Sequence, residues 1–85
     1  MKEFTYVIQD EVGLHARPAG LLAKEAKKYA SEIKIASKGK EAEAGKILAL
    51  MALGVKKGEE VVITVAGPDE EMAAAELELF FQQNL

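Results

Sequence analysis

Alternation of apolar and polar positions predicts four short strands along the chain. The segments with this pattern or with a β-branched run are residues 4–8, 33–35, 41–44 and 61–65. Phe4, Tyr6 and Ile8 would share one face of the first strand. Residues 37–40 separate the second and third segments and have the composition of a hairpin turn. By propensity alone, residues 41–44 are also compatible with a helix.

Helical spacing of apolar residues predicts three helices between these strands. In the first, which opens at Pro18, the inner positions are Ala19, Leu22, Ala23, Ala26, Tyr29 and Ala30, and the outer ones are Lys24, Lys27, Lys28 and Ser31. The second spans residues 47–53 and ends at Gly54, a typical C-terminal cap. The third begins at Pro68, and the residues expected on its inner face are Ala74, Leu77 and Phe81, beside Ala73 and Phe80.

The order of these elements is βαββαβα. Three helices and four strands in 85 residues predict a two-layer α+β sandwich, formed as a single domain over residues 1–85. Because the chain has no cysteine, the core must hold without disulfides.

Composition and charge exclude several functional classes. The formal net charge of −3 argues against binding to nucleic-acid phosphates, so no nucleic-acid partner is expected. The N-terminal residues lack the apolar run of a signal peptide, and no segment is apolar enough to insert into a membrane. We therefore expect a cytoplasmic location.

The only histidine, His15, stands at the predicted mouth of the first helix. Free N–H groups at a helix N-terminus attract anions, phosphate above all. Two residues later, Arg17 supplies a permanent cation whose forked donors suit phosphate. A nucleophile, an anion cradle and a cation are thus expected within five residues, which indicates phosphoryl chemistry at His15.

The motif Gly13-Leu14-His15-Ala16-Arg17-Pro18-Ala19 resembles the signature of HPr, the histidine phosphocarrier family of the bacterial phosphoenolpyruvate-dependent sugar phosphotransferase system. The resemblance covers the whole chain, with similar elements at residues 37–40, 53–55 and 67–70. It implies an open-faced βαββαβα sandwich with three helices on one face of a four-stranded antiparallel sheet.

The resemblance also implies a phosphorelay. His15 would accept a phosphoryl group on Nδ1 from enzyme I and pass it to the EIIA domain of a sugar permease. The amides of Ala16 and Arg17 would bind the phosphoryl oxygens, and the Arg17 guanidinium would stabilise charge during transfer. Catalysis would be shared with the partner, so the chain is a carrier and not a free-standing enzyme. No cofactor and no metal are expected.

An exposed apolar patch on the second helix is the expected docking surface. The segment from Ile47 to Leu53 is apolar almost all round, so Leu50 and Leu53 are expected to be buried while others stay exposed. By resemblance to HPr, the residues expected to contact both enzyme I and EIIA are Ile47, Leu48, Met51, Gly20, Lys24 and Lys27. Gly20 has two interpretations, close backbone packing or a bare surface for a partner. A carrier that meets two partners in turn is expected to be a monomer.

One position departs from many HPr chains, which have a regulatory serine at the start of the second helix. The residue there is Lys46, preceded by Gly45. Lysine is no substrate for a serine kinase, and it brings positive charge where phosphoserine would bring negative charge. We therefore expect this chain to lack the serine switch.

Three other functions remain open. The chain could serve a regulatory phosphorelay, in the nitrogen-related or the dihydroxyacetone kinase branch, with the same chemistry at His15. It could be a binding module without catalysis, although His15 and Arg17 are both present. A metal site is the weakest alternative, because a single histidine without clustered partners does not supply the ligands that zinc requires.

Overall fold

The seven elements follow one another in the predicted order. The computed structural model describes residues 1–85, and its elements are β1 (Lys2–Val7), α1 (Ala16–Ala26), β2 (Glu32–Ser37), β3 (Lys40–Glu43), α2 (Ile47–Ala52), β4 (Glu60–Ala66) and α3 (Glu70–Asn84). The four strands form one antiparallel sheet in the order β1-β4-β2-β3. The fold is the predicted α+β open-faced sandwich.

One face of the sheet is apolar and covered by helices. Along β4, Val61, Ile63 and Val65 are buried while the residues between them are partly exposed. Ile33 and Ile35 of β2 lie opposite Val65 and Ile63 and are buried with them. This alternation confirms the strand pattern of the sequence, because only one side of a pleated strand can face the core.

Helix α3 packs against β1 through its buried face. Ala73, Leu77 and Phe81 are the fully buried residues of the helix, whereas Ala74 is only partly buried. The Phe81 ring makes edge-on contacts with Phe4 and Tyr6, with ring centroids 5.7 and 5.5 Å apart. The end of α3 is therefore fixed over the strand that leads towards His15.

The first helix begins at Ala16, two residues before the predicted opening at Pro18, and it is shorter than the sequence predicts. It ends at Ala26, so Tyr29, Ala30 and Ser31 belong to the connection into β2 and not to the helix. Ser31, which was expected on the exposed side, is buried, and its hydroxyl donates to the Asp69 carboxylate. Asp69 also accepts the backbone N–H groups of Ala30 and Ser31. The hydrogen bonds from Ser31 and Ala30 lower the pKa of Asp69. They connect the end of the segment after α1 to the residue that precedes α3, where the sequence predicted a continuing helix.

The returning strand is β3, Lys40–Glu43, so most of the predicted segment 41–44 is a strand and not a helix, and Ala44 lies in the turn that follows. The hairpin turn has positive φ at both central residues, 53° at Lys38 and 79° at Gly39, which matches a type I′ turn. Pairing with β2 then places Ala42 opposite Ile35. The cross-strand hydrogen bonds and the burial of Ala42 override the helix propensity of the segment.

The longest helix, α3, has 15 residues. None of the helices combines the length and the apolar character that crossing a membrane requires.

Candidate phosphoryl site

The backbone before α1 holds His15 at the surface. Leu14 is buried, and its N–H donates to the Val55 carbonyl oxygen at 2.9 Å. Gly13 has φ of 70°, and a Cβ there would lie 2.3 Å from the Val55 oxygen, so only glycine fits this close approach. His15 itself is exposed and is the N-cap residue of α1, with extended φ and ψ of −125° and 171°. The buried residue before it and the helix after it thus fix the backbone from which the imidazole projects.

The free backbone donors of α1 lie next to this imidazole. The first N–H groups of a helix have no intrahelical acceptor, and here they belong to Ala16 and Arg17. Pro18 has no N–H, and the N–H of Ala19 already donates to the His15 carbonyl oxygen at 3.1 Å. Two free amides therefore stand beside the histidine, where the sequence predicted an anion cradle.

Arg17 adds an unpaired cation at the same place. It is exposed, and it forms no salt bridge within the chain. Its guanidinium is therefore available to an anion bound at the helix terminus.

An open cleft of about 550 Å³ surrounds these groups. We call it the His15 cleft, and its lining residues are Asp10, Val12, His15, Ala16, Arg17, Pro18, Leu21, Gln83 and Asn84. The structure brings together His15, Ala16 and Arg17, the three residues that the sequence assigned to phosphoryl chemistry.

Sequence reasoning missed the contribution of α3 to this cleft. Gln83 and Asn84 lie far from His15 in sequence, and no motif marks them. They reach the cleft because α3 packs along β1, and its end meets the segment that leads to His15. This contact depends on the strand order, which places β1 at a sheet edge, and on the packing of α3 against β1, neither of which the sequence pattern gives.

The second helix presents the predicted apolar patch. Leu50 and Leu53 are buried, whereas Ile47 and Leu48 are 43% and 80% exposed. Met51 is partly buried and packs against the core. We refer to Ile47, Leu48 and Met51, which the sequence analysis expects to contact partners, as the docking patch. The burial of Leu50 and Leu53 and the exposure of Ile47 and Leu48 confirm the predicted burial pattern of α2.

Helix α1, which carries or borders the other residues of the predicted docking surface, packs against α2. Lys24 and Lys27 are exposed. A Cβ added to Gly20 would meet no atom within 4 Å, which favours the bare-surface interpretation over close packing. The carbon stem of Lys27 lies over Gly45, because Cγ and Cε are each 3.9 Å from the Cβ position built there. The Lys27 side chain, at the end of α1, therefore contacts the segment that precedes α2.

Lys46 is the N-cap residue of α2. Its Nζ lies 3.5 Å from a carboxylate oxygen of Glu43, and the side chain is largely exposed. Lys27 and Lys46 line one shallow groove of about 250 Å³ together with Glu32 and Glu43. Lys46 directly precedes Ile47, the first residue of the docking patch.

Comparisons with known proteins agree with this geometry. Residues 2–83 match the family model described as the PTS HPr component phosphorylation site. The chain is 44% identical to the phosphocarrier protein HPr of Mycoplasma genitalium over 85 residues, covering 99% of this chain and 97% of the relative. It is 45% identical to the HPr of Mycoplasma pneumoniae over 74 residues, covering 86% of this chain and 84% of the relative.

Solved structures show the same likeness. The crystal structure of HPr-C-His from Thermoanaerobacter tengcongensis superposes with a TM-score of 0.93 at 38% identity, covering 99% of this chain and 94% of the other. The HPr structure from Bacillus anthracis superposes with a TM-score of 0.87 at 31% identity, covering 94% of this chain and 95% of the other. The chain therefore belongs to the HPr family of phosphocarriers of the phosphotransferase system.

Proposed function

We propose that this chain accepts a phosphoryl group from phosphorylated enzyme I on Nδ1 of His15 and passes it to EIIA domains of sugar permeases. The observation that carries the proposal is the arrangement at the start of α1. The only histidine caps the helix beside the free amides of Ala16 and Arg17 and an unpaired guanidinium.

The chemistry of the proposed step needs no further reactant. The Nδ1 lone pair of neutral His15 forms a bond to phosphorus while the P–N bond of the donor phosphohistidine breaks. The two amides and the Arg17 guanidinium bind the oxygens of the moving phosphoryl group and offset its charge. Because a P–N bond is exchanged for another P–N bond, transfer is reversible and can continue to the next histidine.

Incubation with enzyme I and phosphoenolpyruvate tests the proposal directly. Mass spectrometry should show a gain of one phosphate that is lost in mild acid, as expected of phosphohistidine. No mass gain, or an acid-stable phosphate, would contradict the proposal. Comparing enzyme I from the sugar branch with its nitrogen-branch counterpart then separates the sugar relay from a regulatory one.

Arg17→Ala should slow phosphoryl transfer about tenfold to a hundredfold without unfolding the chain. The side chain is exposed and unpaired, so its loss removes charge stabilisation and little packing. Stopped-flow transfer from enzyme I and to EIIA measures the effect. Arg17→Lys is the control, since it keeps the charge but not the forked donors. Unchanged rates for Arg17→Ala would remove Arg17 from the mechanism.

The docking patch is proposed to contact enzyme I and EIIA in turn, together with Gly20, Lys24 and Lys27. Exposed apolar side chains on α2, which packs against the helix that His15 caps, favour a protein interface. Met51 has a flexible side chain that can adapt to two different partners. The lysines beside the patch favour partners with acidic surfaces.

Met51→Glu should weaken binding to enzyme I at least tenfold. The change places an uncompensated carboxylate in the centre of the proposed interface. Isothermal titration calorimetry with enzyme I measures the effect, and the same titration with EIIA should show a similar loss. Met72→Glu is the matched control, since Met72 is an exposed methionine on α3, away from the docking patch. Equal affinity of Met51→Glu and the unmodified chain would exclude the patch from the interface.

We propose that no serine phosphorylation controls this docking surface. Lys46 occupies the position of the regulatory serine, and the chain has two serines, Ser31 and Ser37. Both are buried, and their hydroxyls donate to Asp69 and to the Glu60 carbonyl oxygen. Burial and these hydrogen bonds oppose access of a kinase to either hydroxyl.

A further inference from the structure

We infer that Gln83, at the end of α3, is a further phosphoryl-binding residue that donates its side-chain N–H to the phosphoryl group on His15. Gln83 lines the His15 cleft together with His15 and Arg17. The inference rests on the proposed role of His15 as the phosphoryl acceptor.

Two residues of the cleft, Gln83 and Asn84, have side-chain amides, and that of Gln83 is free to bind a ligand. The Asn84 amide donates to the Phe80 carbonyl oxygen at 3.1 Å. The Asp10 carboxylate accepts the N–H of Val12 at 3.0 Å. The Gln83 side chain makes no hydrogen bond within the chain. Its two N–H donors are therefore available to a ligand.

The backbone around Gln83 is held in place, so the side chain does not belong to a frayed helix end. Leu85 is buried, and its N–H donates to the Phe81 carbonyl oxygen at 2.9 Å. The Leu85 carbonyl oxygen accepts the N–H groups of Gln9 and Asp10 at 2.6 and 2.9 Å. These bonds join the last turn of α3 to the segment that leads to His15.

The negative charge of Asp10 in the cleft favours an additional hydrogen-bond donor to the phosphoryl group. A phosphoryl group carries negative charge and three strong acceptor oxygens. The Asp10 carboxylate lines the same cleft and repels that charge. The amides of Ala16 and Arg17 approach the phosphoryl group from α1. Gln83 approaches from α3 and contacts the group without adding charge.

Chemical phosphorylation tests the contact without any partner protein. Potassium phosphoramidate transfers its phosphoryl group to histidine. The His15 lone pair forms the new bond to phosphorus, while the P–N bond of phosphoramidate breaks and ammonia leaves. Nitrogen-15 NMR then follows the side-chain NH₂ signals of Gln83 and Gln82, assigned with Gln83→Ala and Gln82→Ala. Gln82 is the matched control, because it is exposed on the same turn of α3 but does not line the cleft.

On phosphorylation, the Gln83 side-chain signals should shift and those of Gln82 should stay. The half-life of phospho-His15 should be about threefold to tenfold shorter in Gln83→Ala than in Gln82→Ala, since one hydrogen bond to a charged group is lost. Gln83→Glu keeps the length of the side chain but replaces the donors with a carboxylate, so it should shorten the half-life further. Unmoved Gln83 signals, or equal half-lives in the two alanine variants, would overturn the inference. Failure of the unmodified chain to take up phosphate would contradict the role of His15 itself.

Discussion

Replacing His15 by alanine should abolish phosphoryl transfer from enzyme I and leave the fold intact. His15 is the only histidine of the chain, so no other imidazole can accept the group. Its side chain is exposed and makes no capping hydrogen bond to α1. Its removal therefore costs little stability, and the loss of activity reports on chemistry and not on unfolding.

Mass spectrometry after incubation with enzyme I and phosphoenolpyruvate measures this effect. The unmodified chain and the Gln82→Ala control should both gain one acid-labile phosphate, and His15→Ala should gain none. Circular dichroism should show the same thermal unfolding midpoint for His15→Ala and the unmodified chain, within about 2 °C. A full one-phosphate gain in His15→Ala would disprove the assignment of the acceptor.

The arrangement of the groups at the start of α1 was predictable because they are local in sequence. His15, Arg17 and Pro18 lie within one turn at the start of α1, so the helix geometry sets their relative positions. The amides of Ala16 and Arg17 were expected only from the HPr resemblance, and they are free because α1 begins at Ala16 and Pro18 has no N–H. The exposure of Ile47 and Leu48 was predictable for a similar reason, since a short surface helix that is apolar almost all round does not bury every side.

What the sequence could not show depends on contacts between distant segments. Ser31 was assigned to an exposed helix face, but Asp69 binds it from the start of α3 and buries it. Gln83 enters the His15 cleft only because α3 packs along β1. Residues 41–44 include good helix formers, but antiparallel pairing with β2 makes most of this segment a strand. In each case a tertiary contact overrides or adds to a local preference.

Phe81→Ala should destabilise the fold more than any surface change described above. Phe81 is fully buried and contacts the rings of Phe4, Tyr6 and Phe80. Removing a buried phenyl ring costs about 3–5 kcal/mol, because transfer energy is lost and a cavity stays behind. Small domains are stable by about 5–15 kcal/mol, so the change should remove a large share of the free energy of unfolding.

Urea unfolding followed by circular dichroism measures this loss, and Phe80→Ala is the matched control. Phe80 is the neighbouring residue on α3, but it is only partly buried and its one aromatic contact is with Phe81, at 6.4 Å. Its removal should lower the free energy of unfolding by less than half as much. Phe81→Leu should recover part of the loss, because leucine refills much of the cavity. Equal destabilisation by Phe80→Ala and Phe81→Ala would mean that Phe81 is not the centre of packing between α3 and β1. A selective loss in Phe81→Ala would show that the contact which brings Gln83 to the His15 cleft also stabilises the whole fold.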